Sequence, residues 1–135
     1  MARSYRDITD AELAVMQVLW ERGESSIRQI CHVLYPGGGP SQYATVQKLL
    51  ERLEAKDFVY RDRTQQVHLF RPALGREELI GRRLRSLAEQ LCGGSLTPLL
   101  THLVKTKALT PQERAELRAL IEQSENTPRR RGSKG

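Results

Sequence analysis

The sequence is poor in cysteine. Its two, Cys31 and Cys92, stand far apart and form no CxxC pair, so we read them as reduced, partly buried thiols rather than a disulfide framework. Aromatic residues make up only 5% of the chain, so the 39% apolar content must build its core mainly from Leu, Ile, Val and Ala, as helical proteins do. No apolar run approaches the ~20 residues that a membrane-spanning helix needs, so no direct membrane insertion is expected. The opening "MARSYRDITDAEL" has no apolar h-region; no secretory signal is read there, and a cytoplasmic location is expected. Groupings that carry chemistry are missing as well. His32, His68 and His102 fall in separate elements, with no carboxylate pair or metal-spaced cluster beside them. No enzyme activity, metal or cofactor is therefore expected. "PGGGP" at 36–40 has the glycine content of a phosphate loop but lacks the Gly-Lys-Ser/Thr that would follow.

What the chain does have is an excess of positive charge, +6 overall. Residues 1–74 hold ten Lys and Arg against nine Asp and Glu, residues 75–124 eight against six, and residues 125–135 four against one. Half the excess therefore lies in the last stretch. A nucleic-acid surface must be argued from where individual charges sit, not from the total.

Helical punctuation is clear. In "ITDAELAVMQVLWERG", Thr9 and Glu12 form a capping box, Leu13, Met16, Leu19 and Trp20 supply the apolar stripe, and Gly23 stops the helix. Trp20 is read as a core residue. "SSIRQICHVLYP" gives a second, short helix capped by Ser25 or Ser26, with Ile27, Ile30, Cys31 and Leu34 on one face. After the glycine loop a third helix starts near Ser41. Its stripe is Val46, Leu49, Leu50 and Leu53, with Ala44 beside them, and it ends around Lys56-Asp57. The period then changes to two. Phe58 to Arg63 and Val67 to Arg71 read as strands of a hairpin joined by Thr64-Gln65-Gln66 and ended by Pro72. His68 is read as a strand residue with no special role.

The rest is helical. Ile80, Leu84, Leu87 and Leu91 form a narrow seam suited to a partner helix. Gly93-Gly94 break it. Leu96, Leu99, Leu100, Leu103 and Val104 follow, with Ser95 as the expected cap and Pro98 in the first turn. Thr110 and Glu113 then make a second capping box before Leu117, Leu120 and Ile121. Three helices in about 50 residues struggle to bury enough apolar surface alone. They complete their core either against a second copy or by packing back on residues 1–74. The expected fold is mainly α: a winged helix-turn-helix over 1–74, a three-helix dimerisation region over 75–124 and a disordered basic tail over 125–135. Arg129-Arg130-Arg131 in that tail could add non-specific phosphate attraction.

"ITDAELAVMQVLWERG", "YATVQKLLERLEAKDFVYRDR" and "LTPQERAELRALIEQ", in that order and spacing, resemble the BlaI/MecI/CopY penicillinase-repressor family. The resemblance covers roughly residues 5–124. It implies a bacterial transcriptional repressor that binds operator DNA as a homodimer through the winged helix and dimerises through the C-terminal helices. In the family's antibiotic-resistance members a membrane sensor-protease leads to cleavage within the dimerisation region. The staphylococcal-type bond joins Asn to Phe, and His102-Leu103 aligns with it. The family's Tyr-Thr-Thr-Val is Tyr43-Ala44-Thr45-Val46 here, and its Lys-Gly after the third helix is Lys56-Asp57. The "YPGGGP" loop is longer than usual. The tail lacks the cysteine cluster of the copper-responsive branch, which excludes copper sensing by that route.

On a recognition helix, Gln42, Thr45, Gln47 and Lys48 are the residue types that pair with base edges. Ser41 and Tyr43 would lie at the phosphate edge, Arg52 and Lys56 would meet the backbone, and Arg61 and Arg63 would serve the wing. Ile80, Leu84, Leu87, Leu91, Leu99, Leu100, Leu103, Leu117, Leu120 and Ile121 are the expected dimer contacts. The competing readings are a repressor controlled by a small molecule or by redox change at Cys31 or Cys92, and a winged helix used only for protein contact.

Overall fold

The computed structural model describes residues 8–125. Six helices and a small antiparallel sheet run in the order α1 (Asp10–Arg22), β1 (Ser25–Ser26), α2 (Ile27–Leu34), α3 (Pro40–Ala55), β2 (Val59–Asp62), β3 (Leu69–Pro72), α4 (Arg76–Cys92), α5 (Thr97–Lys105) and α6 (Pro111–Glu125). The chain divides into two compact units between Arg82 and Arg83, within α4 and past the loop at Gly75.

The first unit holds the core. The Thr9–Glu12 capping box forms in full, with 3.1 Å bonds in both directions. Gly23 ends α1 at φ 83°, a conformation costly for any residue with a Cβ, while its N–H donates to Leu19. Ser26 caps α2, and Gln29 returns the bond to its N–H. α3 is capped by a glycine, Gly39, which has no side chain to offer. Pro40 starts the helix, and Gln42 Oε1 accepts the Gly39 N–H at 2.9 Å. At the other end, Phe58 donates to Leu53 and Asp57 to Glu54, the bond pair of a Schellman stop. Asp57 takes the left-handed position at φ 65°.

Val15, Met16, Ile30, Val46, Leu50, Leu53 and Phe70 are almost wholly excluded from solvent, and they tie α1, α2 and α3 to the sheet. The α3 stripe read from the sequence is the buried one. Ala44 does not join it: two residues before Val46, it lies about 200° round the helix and is exposed. Trp20 packs on the core edge, its Nε1 donates to the Leu74 carbonyl at 2.9 Å, and the Arg76 guanidinium lies 5.3 Å from its ring.

The sheet has three strands, not two. Ser25 and Ser26 pair with Phe70 and Leu69, giving the order β1-β3-β2. Two residues are too short to show a period, and both serines also serve the start of α2. β2 and β3 pair Val59 with Pro72 through to Asp62 with Leu69. The strands are shorter than their alternation implied: Val67 and His68 stay in the connection, and Pro72 is the last residue of β3 rather than a stop before it.

In the second unit, Ala88 is the one buried residue among those described. α5 runs from Thr97, after Ser95 and Leu96. Leu96 has helical backbone angles and no side-chain bond, and the Ser95 hydroxyl before it accepts the Thr97 N–H at 3.3 Å, the bond a capping serine makes. The Thr110–Glu113 capping box forms as expected. α6 runs to Glu125, one residue into the segment read as a disordered tail; the remainder of that tail, with Arg129-Arg130-Arg131, lies outside the described residues.

Candidate nucleic-acid interface

α3 has two unlike faces. Val46, Leu49, Leu50 and Leu53 fix it to the core. Ser41, Tyr43, Thr45, Lys48 and Arg52 are exposed, and Gln42 and Gln47 are half-buried. None of the positions from Ser41 to Lys48 is acidic, so that surface has no carboxylate of its own to repel a phosphate backbone. The Thr45 hydroxyl donates to the Ser41 carbonyl at 3.1 Å, so the hydroxyl proton is already engaged within the helix. Gln42 is tied at its oxygen to Gly39, so its free donor is the amide nitrogen.

Of the basic residues expected at the backbone and the wing, Lys56, Arg61 and Arg63 are held by carboxylates. Lys56 Nζ lies 2.6 Å from Glu12 Oε1, a carboxylate that is 1% exposed. Burial alone would raise the Glu12 carboxyl; the hydrogen bonds from Lys56 and from Thr9, and the charges of Lys56 and Arg52, outweigh it and hold the group below its usual range. On the hairpin, Glu54 of α3 takes both wing arginines: Arg63 at 2.8 Å and Arg61 at 3.6 Å. Arg61 also donates Nε to His68 Nδ1 at 3.0 Å, and its guanidinium lies 5.1 Å from the Phe70 ring. One acid therefore engages both wing arginines from the third helix, beside the buried core that already joins the two elements.

Three groups went unnoticed in the sequence. Glu54 looked like ordinary helix surface, and His68 like a plain strand residue. Arg28, on the exposed side of α2, lines a cleft of about 310 Å³ together with Tyr43, Gln47, Arg61 and His68. Its place opposite the Ile27, Ile30, Cys31 and Leu34 stripe was the available signal. Among the described residues no group of His, Cys, Asp and Glu is arranged to hold a metal ion. No helix among them is long and apolar enough to cross a membrane.

On α4, α5 and α6 the expected contact residues are open. Leu91, Leu100, Leu120 and Ile121 are each 58–69% exposed, Ile80, Leu84, Leu87, Leu103 and Leu117 are exposed to a lesser degree, and Leu99 is half-buried. His102 and Leu103 are both exposed on α5.

Comparison with known proteins agrees with this architecture. A family model described as penicillinase repressor matches residues 8–123. "Transcriptional regulator BlaI" of Mycobacterium tuberculosis (strain H37Rv) is 36% identical over 98 residues, covering 71% of this chain and 70% of that protein. "Penicillinase repressor" of Bacillus licheniformis is 24% identical over 119 residues, covering 88% and 92%. An uncharacterised 16.5 kDa protein of Latilactobacillus sakei is 26% identical over 121 residues, covering 90% and 82%. With nearly all of its described residues inside that match, the chain belongs to the penicillinase repressor family.

Proposed function

We propose that the protein is a homodimeric transcriptional repressor that reads a pseudo-palindromic operator and acts in the cytoplasm. One observation carries this reading: α3 buries its leucine stripe and, from Ser41 to Lys48, presents a surface free of acids, flanked by the β2–β3 hairpin. In a winged helix-turn-helix the third helix enters the major groove and the ribbon leans on adjacent backbone. Gln47, Thr45, Lys48 and the Gln42 amide would face base edges, with Ser41, Tyr43 and Arg52 toward phosphates. Residues 1–74 would be the DNA-binding domain and residues 75–124 the dimerisation domain. The relatives named as a transcriptional regulator and as a penicillinase repressor support the same role.

The open leucine faces of α4, α5 and α6 support dimerisation, since a second copy of the same faces would cover them. Release would follow cleavage in this region, at or near His102-Leu103, through a membrane sensor-protease. Losing the dimer costs the second half-site's binding energy. Protection mapping on the DNA upstream of the protein's own gene tests the reading. Two half-sites about one helical turn, or a small multiple, apart are expected, with log-linear loss of affinity as salt rises. Absence of any protected site would sink it.

A further inference from the structure

Arg28, on α2, is a basic residue outside the positions assigned to the interface so far. Lys56, Arg61 and Arg63 are each engaged with a carboxylate. Arg28 is exposed, in the first turn of α2, and among the described residues nothing pairs with it. It lines the cleft where α2, α3 and the wing connection meet. The cleft walls hold Arg28 and Arg61 as cations, with Tyr43, Gln47 and His68 as further polar groups, and no carboxylate lines it. Arginine only donates, so His68 Nδ1 is an acceptor in its bond from Arg61, and the ring N–H is on Nε2. Every side chain with a polar end here can therefore donate toward the cleft. Ser26 and Ile27, at the start of α2, line the same cleft beside Arg28.

A cleft lined by donors and two guanidinium groups selects a compact anion with several acceptor oxygens. It lies between the helix proposed to enter the groove and the ribbon proposed to lean beside it, where a duplex runs its backbone. We propose that this cleft seats one DNA backbone phosphate, held by Arg28 from α2 and Arg61 from β2. α2 then becomes a third DNA-contacting element, and the phosphate fixes the register of α3 in the groove. The inference rests on the DNA-binding reading above.

The test uses the full chain and the duplex found by protection mapping, titrated across a range of salt concentrations. Arg28→Ala should weaken binding about tenfold and lower the salt slope by about one, whereas Arg28→Lys should restore the slope. Methylphosphonate substitution, which removes the charge of one phosphate at a time, should reveal a position where wild type loses affinity and Arg28→Ala does not. Because Arg28 is exposed and outside the core, circular dichroism of the variant should match wild type. If wild type binds the duplex and Arg28→Ala binds with equal affinity and equal slope, the phosphate seat is overturned while the DNA-binding reading stands. If wild type binds no duplex at all, both are overturned.

Discussion

Glu12 carries two duties at once. It closes the capping box of α1 and receives the Lys56 ammonium from the end of α3. With the carboxyl held below its usual range, its ionised form is favoured by folding. A depressed folded value means that the stabilisation is present above the ordinary carboxylate range and disappears as pH falls through the folded value. Glu12→Gln should therefore cost about 1–3 kcal/mol at pH 7, since it leaves Lys56 facing a neutral partner. The difference between the two proteins should shrink toward pH 3. Urea denaturation at the two pH values measures both. A second residue-scale test lies at Asp57, whose φ of 65° strains a residue with a Cβ. Asp57→Gly should add about 0.5–1 kcal/mol, because the exposed side chain gives up little and the strain is relieved. A thermal melt would read this as a rise in midpoint.

At the scale of elements, Glu54 links α3 to the β2–β3 hairpin through Arg61 and Arg63, over the buried Leu53, Phe58 and Val59. Ion pairs that water still reaches contribute little to stability, so Glu54→Gln should leave the melting midpoint within a few degrees. Binding is another matter. A duplex phosphate must draw these arginines from a carboxylate that itself repels it. The neutral variant should bind duplex DNA several-fold more tightly at low salt, with the advantage shrinking as salt rises. Fluorescence anisotropy across a salt series checks both the sign and the trend.

Elements of this kind mark the limit of what a sequence discloses. The capping boxes at Thr9 and Thr110, the α3 stripe and the change of period at Phe58 depend on neighbours three or four residues away, and all were legible. Asp57 in place of glycine was legible too, because a helix stop needs a left-handed residue there. β1 was not: it exists only through pairing with residues more than forty positions later. The Glu12–Lys56 pair spans 44 residues, so nothing local announced that the basic end of α3 was already engaged. The Glu54 latch depends on how the hairpin folds back on α3. For the candidate interface, the residue types on α3 could be read, but which of them are tied down could not.

The whole molecule poses a problem of uncovered surface. α4, α5 and α6 carry seams of leucine and isoleucine, yet between residues 83 and 124 only Ala88 is buried. Large apolar side chains left open in this number mark an interaction face. The proposed second copy would remove them from water, each fully covered leucine contributing about 1.5–3 kcal/mol before the cost of association. Leu103, on the face of α5 beside the candidate cleavage bond, and Leu120, on α6, test this independently. Leu103→Glu and Leu120→Glu would each bury an unpaired charge in the interface. Either should raise the dimer dissociation constant at least a hundredfold, giving monomer at micromolar concentration in sedimentation experiments. Because the substitutions lie outside residues 1–74, the winged helix should keep its own fold and a single half-site should be bound as before. Affinity for the paired site should then fall to that of one half-site. A variant that stays dimeric with full affinity would remove both the interface and the cleavage-driven release that depends on it.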